Sequence, residues 1–478
     1  MRGLLSLYSP RYPAVLVYML QSTEYQVAPY LKWYWQTQDF SQVMYRRTLH
    51  RTKAARLLLL AARLGIATQV LAGLLLVWLW FFAGVGGGLA FGLALIIGYP
   101  VLWAHLIVLP LVLGRIFIAG PSQRRQINAS RKIFADFSGI TIAIAGSYGK
   151  TSMKELLLTV LGEGLKVKAT PANKNVSISH AQFAQKLDSN EDVIIVEYGE
   201  AKPGDVARFA DITRPDCAVI TGVAAAHLDK YKTVQAAGRD IFSLAHAVPA
   251  DSVFVNSESP EAKQFIKPEF RRYDRHGVLG WKVENVHIGL DGTRFTLKRQ
   301  KDKLALHSKL LGRHQIGPLA LAAALALALG LNHAQVERGI AKTAPFEHRM
   351  QPYQLHGAHV IDDSYNGNLE GIRAGTELLR ELPGKRKIYV TPGLVDQGKD
   401  SSRIHREIGR LIAEARPDIV VLMQHSVTAD IQKGLDLAGF KGQIIIEDDP
   451  LNFYQNLSAF VAHGDLVMLQ NDWPDNYT

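Results

Sequence analysis

The chain has one cysteine in 478 residues, Cys217. A lone thiol excludes a disulfide frame and a cysteine-built metal site, and it fits a reducing compartment. Cys217 lies in an apolar run and is expected to be a buried, inert thiol. Acidic residues are scarce as well: 43 Asp and Glu against 54 Lys and Arg leave a net charge of +11. Such an excess is one mark of a nucleic-acid partner, but its placement argues otherwise. Arg46, Arg47, Arg51, Lys53, Arg56 and Arg63, then Arg115, Arg124, Arg125, Arg131 and Lys132, sit beside apolar segments. No nucleic-acid partner is expected; a membrane flank is. Charged residues make up 20% and hydrophobic ones 48%, the balance of a globular protein with some membrane content. No long repeat and no low-complexity segment is visible.

The sharpest absence is local. No residue is charged from Ile66 to Val85, and none from Gly86 to Gly114. Crossing a bilayer takes about 20 apolar residues. Two spans fit, 66–85 and 88–113, joined by Gly86-Gly87-Gly88 into a helical hairpin with almost no loop on its far side. Basic residues flank both outer ends, so both ends are expected in the cytoplasm. Pro100 and Pro110 are expected to kink the second span, and His105 is its notable polar group. Residues 1–60 are rich in Tyr, Trp, Leu and Arg. Pro10, Arg11 and Pro13 break the apolar run Leu4–Leu20, so a cleaved signal peptide is not expected. Two readings of this region stand side by side: an interfacial segment with Tyr30, Trp33, Tyr34 and Trp35 at the headgroups, and a small soluble subdomain.

After Lys132 the composition turns soluble. The run Thr141-Ile-Ala-Ile-Ala-Gly-Ser-Tyr-Gly-Lys-Thr-Ser-Met-Lys-Glu155 has an apolar β-type entry and a helix-compatible exit. Between them stand Gly146, Ser147, Gly149, Lys150, Thr151 and Ser152. This is a phosphate-binding loop in its strand–loop–helix setting. Backbone N–H groups and the helix start can hold phosphate oxygens. Lys150 can reach the β- and γ-phosphates, and the Thr151 hydroxyl can ligate Mg²⁺. The general pattern has Gly five places before Gly149; here that place is Ile144, leaving the shorter G-x-x-G-K-T-S.

Further β-like runs at 193–197, 217–221 and 252–255 alternate with helical stretches. The pattern predicts a parallel sheet covered by helices, with ligands at the carboxyl ends of the strands. Three polar motifs follow such strands or the first helix: Glu197-Tyr-Gly-Glu200, His227-Leu-Asp229, and Thr170-Pro-Ala-Asn173-Lys-Asn175. A carboxylate and a histidine converging on the loop suit a Mg²⁺ that bridges phosphate and substrate. Short alternating runs at 283–288, 293–298 and 304–310 predict a β excursion closing this domain, and Leu319–Leu331 a core helix. Beyond Ala344-Pro345, strands are predicted at 358–362, 387–391, 418–422 and 443–446, with helices between them. The expected fold class is therefore α/β. It has a membrane-associated region at 1–132 with its hairpin, a central P-loop parallel-sheet domain at 133–344 and a smaller α/β domain at 345–478.

The set G-S-Y-G-K-T-S, T-P-A-N-K-N, V-E-Y-G-E, A-A-A-H-L-D and I-D-D-S-Y-N-G-N resembles the Mur ligases, nearest to their MurF-type, D-alanyl-D-alanine-adding branch. The resemblance runs from about residue 138 to the end. It implies an ATP-dependent ligase: ATP phosphorylates a substrate carboxylate, and the amine attacks the acyl phosphate. It implies ATP and Mg²⁺ as cofactors. Partners would be a cell-wall precursor (a UDP-linked or lipid-linked muropeptide) and D-Ala-D-Ala or a similar amine. By position, Lys150, Glu197 and His227 would be catalytic, and Thr151, Glu197 and His227 would serve the metals. Arg349, Asp363, Tyr365 and Asn366 would join the loop in holding ATP. Asn173, Asn175 and Asp396 would face the substrates. Three departures stand out. The family's carbamylated lysine has no counterpart in Gln235-Ala-Ala-Gly-Arg239-Asp-Ile-Phe242, where Arg239 or Asp240 is available instead. The adenine-contacting H-N-x-x-N reads His314-Gln-Ile-Gly-Pro318. The membrane hairpin stands where the branch has a UDP-sugar domain. The expected setting is the bilayer of the cytoplasmic membrane, multi-pass, with the catalytic domains in the cytoplasm. A poly-γ-glutamate-type amide ligase and a non-catalytic ATP-binding membrane scaffold remain the alternatives.

Overall fold

The computed structural model describes residues 5–43, 48–171, 174–188, 190–224, 228–365, 367–395, 397–424 and 427–471, without the side chains of Ile118, Leu228, Asp229 and Lys399. It divides into two compact units, residues 1–124 and 125–472.

The first unit is helical. Lys53–Ala83 and Gly88–Leu106 form an antiparallel pair around a tight turn. Gly84 and Gly87 adopt the left-handed backbone the turn needs, at φ +66° and +79°. Small residues let the two helices close. A Cβ on Gly92 would lie 2.6 Å from the Gly73 carbonyl, and one on Gly73 2.8 Å from the Gly92 carbonyl. Trp103 donates to Gln69 (2.8 Å), and Gln69 donates to the Leu95 carbonyl (3.0 Å). Lys53–Ala83 and the helical run from Gly88 to Ala135 are long and apolar enough to cross a membrane. Their outward side chains include Leu71, Trp78, Phe81, Phe82, Phe91 and Ile97, all exposed.

The first helix starts at Lys53, so Lys53, Arg56 and Arg63 lie on its opening turns, ahead of the uncharged stretch. The second, Gly88–Leu106, is interrupted at Ile107 and Val108, both still in the right-handed helical region, and resumes as Leu109–Gly114, with Pro110 just past the interruption. Pro100 lies inside Gly88–Leu106. Residues 12–22 and 27–36 are helices packed into this unit. The hydroxyls of Tyr8, Tyr12 and Tyr30 donate to the carbonyls of Ile97, Pro100 and Ala104, each at 2.8 Å, along one helix face. Of the four aromatics assigned to headgroups, Tyr30 and Tyr34 are buried, Trp33 is half-buried and Trp35 is exposed. Packing thus uses up part of the interfacial pattern.

Among the described residues, the second unit holds three sheets. The strands are β1 Ile140–Ala145, β2 Val167–Ala169, β3 Val193–Glu197, β4 Cys217–Ile220, β5 Val253–Asn256, β6 Arg271–Tyr273, β7 Gly277–Val278, β8 Trp281–Gly289, β9 Gly292–Arg299, β10 Asp302–Ser308, β11 Gln351–Leu355, β12 Ala358–Asp363, β13 Lys387–Thr391, β14 Ile419–Met423, β15 Gln443–Glu447 and β16 Leu466–Gln470. The first sheet, in the order β2-β3-β1-β4-β5-β6, is parallel throughout. It is covered on both faces. Ile142 and Ile144 of β1 face a core built with the helices Lys150–Leu161 and Ile316–Ala328; Ala143 and Ala145 face another built with Asp205–Thr213. The core helix begins three residues earlier than the composition suggested, at Ile316. The order β10-β9-β8-β7 is the antiparallel excursion. The third sheet runs β11-β12-β16-β13-β14-β15, with β11 alone antiparallel.

Topology places the site. From β1 the chain passes to β2 beyond β3, and later returns to β4 on the other side. The loop after β1 therefore opens at a switch point, flanked by the ends of β3 and β4.

Candidate functional site

The loop Gly146–Gly149 connects β1 to the helix Lys150–Leu161. Gly146 has φ +149°, and a Cβ there would sit 2.2 Å from Thr221 Oγ1. Only glycine fits. Thr221, just past β4, anchors the loop: its hydroxyl donates to the Tyr148 carbonyl at 2.5 Å, and the Ser147 N–H donates to the Gly222 carbonyl at 2.9 Å.

Lys150 and Thr151 open the helix beside the end of β3. The Thr151 hydroxyl donates to Glu197 Oε1 at 3.1 Å, and the Asn175 amide donates to the same oxygen at 3.3 Å. Glu197 ends β3 and is 2% exposed. Among the described residues its other oxygen accepts no hydrogen bond; the Lys154 ammonium lies 3.2 Å away. Lys154 is fully buried, one helical turn beyond Lys150. The Lys150 ammonium donates to the Gly146 carbonyl at 2.5 Å and lies 2.8 Å from Glu200 Oε2. His180 is buried, bonds the Glu197 carbonyl at 2.9 Å, and is held neutral because burial lowers its pKa to about 4.

A Mg²⁺ ion takes hard oxygen donors. The Thr151 hydroxyl and the Glu197 carboxylate are such donors, side by side at the loop, and they fit one. Among the described residues no three His, Cys, Asp or Glu side chains gather into a metal centre.

The other wall of the loop faces a cavity of about 460 Å³. Tyr148, Gly149 and Ser152 line it from the first sheet's domain, and Arg349, Asp363 and Tyr365 from the third's. The Arg349 guanidinium lies 4.5 Å from the centre of the Tyr365 ring. Asp363 ends β12, accepts from the Met350 N–H (3.2 Å) and from Gln470 (2.8 Å), and has its pKa raised to about 6 by burial, which those bonds and Arg349 oppose. Arg275 pairs with Glu258 and reaches Glu377 at 3.1 Å, tying the two sides together. The arrangement can hold a polyphosphate at the loop and an aromatic base or sugar in the cavity.

The Mur ligase middle domain matches residues 144–326, and the Mur ligase glutamate ligase domain matches residues 348–470. The two domains of the second unit belong to the Mur ligase family.

Among the relatives is the UDP-N-acetylmuramoyl-tripeptide–D-alanyl-D-alanine ligase of Escherichia coli, 26% identical over 59% of this chain and 63% of that one. The enzyme of the same name from Mycobacterium leprae is 28% identical over 70% of this chain and 71% of that one. The alignments span about three-fifths of the first relatives' own length. In fold, the chain is similar to the MurF ligase from Thermotoga maritima in complex with ADP, with a TM-score of 0.64 and 21% identity over 73% of this chain and 80% of that one.

Within the Mur ligase domains, the structure brings together Gly146, Ser147, Gly149, Lys150, Thr151, Ser152, Asn175 and Glu197 on one side of the loop. Arg349, Asp363 and Tyr365 line the cavity on the other. Asn173, His227, Asn366 and Asp396 lie outside the described residues. In the run from Gln235, Arg239 is exposed. Asp240 is the inward residue, but both its oxygens are taken, by the Gly204 N–H and the Tyr231 hydroxyl at 2.7 Å each. In the altered helix start, His314 and Gln315 line the cavity, 2.8 Å apart, and burial lowers the His314 pKa to about 4.

Reading the sequence missed Lys154, Glu200 and Thr221 as site residues. Lys154 has a legible signal, since it lies four places after Lys150 and shares its helix face. Glu200 was visible in V-E-Y-G-E, but only the fold shows that it meets Lys150.

Proposed function

We propose that this chain is an ATP-dependent carboxylate–amine ligase of the MurF type, working on a peptidoglycan precursor at the cytoplasmic face of the membrane. The observation that carries the proposal is the pairing of a phosphate loop, flanked by Thr151 and Glu197, with a cavity that Arg349, Asp363 and Tyr365 complete from the next domain. In this reading residues 1–132 form the membrane region, 133–344 the ATP-binding domain and 345–478 the C-terminal domain.

The γ-phosphoryl group of ATP passes to the substrate carboxylate, giving an acyl phosphate and ADP. The incoming amine attacks the acyl carbon, and phosphate departs with the electron pair of the broken C–O bond. Catalysis of this kind is positioning and charge neutralisation. Lys150 and the loop N–H groups hold the phosphates. Thr151 and Glu197, with His227, are the residues that would hold Mg²⁺, whose charge would offset that of the phosphates. Arg349, Asp363, Tyr365 and Asn366 hold the nucleoside side. Asn173 and Asn175 face the carboxylate substrate, and Asp396 the amine. Closure of the two domains on ATP is expected.

Membrane attachment is supported by two long apolar helices whose large side chains point outward, a surface that water disfavours and lipid does not. With the hairpin in place of a UDP-sugar domain, a lipid-linked precursor is the preferred substrate, and a soluble UDP-linked one the alternative. The deciding experiment is phosphate release by detergent-purified protein with ATP, Mg²⁺, D-Ala-D-Ala and a tripeptide-bearing muropeptide on either carrier. Release that needs both substrates and is lost in Lys150→Ala supports the ligase. ATP binding without release on either carrier moves the reading to another polymer's amide ligase or to a scaffold.

A further inference from the structure

Glu200 is a buried carboxylate whose counter-ion is the lysine that phosphates would claim. Its side chain is 4% exposed, and Lys150 Nζ lies 2.8 Å from its Oε2. The neighbouring carboxylates keep other partners. Glu197 has Thr151, Asn175 and Lys154. Asp205 has Arg208 and the Lys202 N–H. Asp240 has the Gly204 N–H and the Tyr231 hydroxyl. Among the described residues, Lys150 is the one ion-pair partner of Glu200. The position is fixed by packing. A Cβ on Gly199 would lie 2.6 Å from Asn175 Oδ1, and the Gly199 N–H donates to the Asn175 carbonyl at 2.8 Å, so the segment from Glu197 to Glu200 is pinned against Asn175.

A polyphosphate entering the loop draws the Lys150 ammonium onto its oxygens. Glu200 is then a desolvated anion without a counter-ion, a state that burial strongly disfavours. A hard divalent cation arriving with the phosphates answers that need with the chemistry it prefers. We propose that Glu200 is a ligand of the divalent cation that accompanies the nucleotide, masked by Lys150 until phosphates release it. The inference rests on the nucleotide-binding reading above and adds a metal ligand to it.

The test uses the full chain in detergent, with Mn²⁺ as the metal probe and a non-hydrolysable ATP analogue, and reads free Mn²⁺ by electron paramagnetic resonance. In the nucleotide complex, Glu200→Gln is expected to weaken Mn²⁺ at least tenfold. Without metal the same variant is expected to bind the nucleotide more tightly than wild type, because Lys150 is no longer held back. A folding defect would not move these two affinities in opposite directions. Lys150→Met provides a second route: with Glu200 unmasked, it is expected to bind Mn²⁺ without nucleotide at least tenfold more tightly than wild type. Unchanged Mn²⁺ affinity in Glu200→Gln, or no gain in Lys150→Met, overturns the proposal while leaving the nucleotide site standing. A wild-type chain that binds no nucleotide overturns the nucleotide reading and this inference with it.

Discussion

The Thr151 hydroxyl donates to Glu197 Oε1 across 3.1 Å, joining the first turn of one helix to the last residue of a strand 46 positions away. That single contact brings the two candidate metal donors to one edge. Glu197→Gln keeps the shape and removes the charge. It is expected to lower acceptor-dependent phosphate release about a hundredfold or more, on the scale of losing one electrostatic contact to a transition state. Steady-state assays at saturating ATP check this.

Lys154 and Glu197 form a buried ion pair, so their variants should couple. Glu197→Ala leaves the buried ammonium with Glu155 alone, 3.4 Å away, and is expected to cost about 2–4 kcal/mol of stability. The double variant Glu197→Ala with Lys154→Met should recover much of that loss. A double-mutant cycle by denaturant unfolding gives the coupling; additive losses would contradict the pairing.

Gly146→Ala places a Cβ within 2.2 Å of Thr221 Oγ1, at a backbone angle of +149° that L-residues avoid. The loop must shift, and nucleotide affinity is expected to fall at least tenfold. Gly398→Ala is the contrast, with φ +56° but open space around the position. Equal effects on nucleotide binding would mean that crowding by Thr221 plays no part.

Asp363 titrates near 6 in the folded chain, against about 3.9 when unfolded. Burial raises a carboxyl pKa by opposing the charged form, so ionisation costs stability once the pH exceeds the unfolded value. That cost grows from about pH 4 to 6 and is complete above it. Asp363→Asn removes the charge while keeping an acceptor for the Met350 N–H. The variant should therefore gain stability over wild type as the pH rises from 4.5 to 7.5, by about 1–3 kcal/mol. Thermal melts across that range decide it, and a difference independent of pH would refute it.

If the hairpin spans a bilayer, the chain should remain in membrane pellets after alkaline carbonate washing and leave them only in detergent. A chain lacking residues 1–124 tests the same point: it should lose the pellet and keep the nucleotide. Extraction of the intact chain by carbonate alone would count against a spanning hairpin.

The positions of the strands along the chain and the phosphate loop were legible because each rests on local chemistry. Ile140–Ala145 alternates onto two cores, Gly146 and Gly149 supply backbone that other residues refuse, and Lys150 starts a helix. The apolar hairpin was legible from its lack of charge, although its first helix begins at Lys53, inside the basic stretch. Helix propensity does not stop at a charged residue, so composition marks the apolar segment and not the end of the helix. What the tertiary structure alone decided is which polar groups meet. The switch in strand order beside β1 sets Glu197 and Thr221 on either side of the loop. Burial leaves Asp240 committed to Gly204 and Tyr231, turns Arg239 outward and hands Glu200 to Lys150. A linear pattern records the presence of a carboxylate; its partner depends on chain segments that arrive from distant positions.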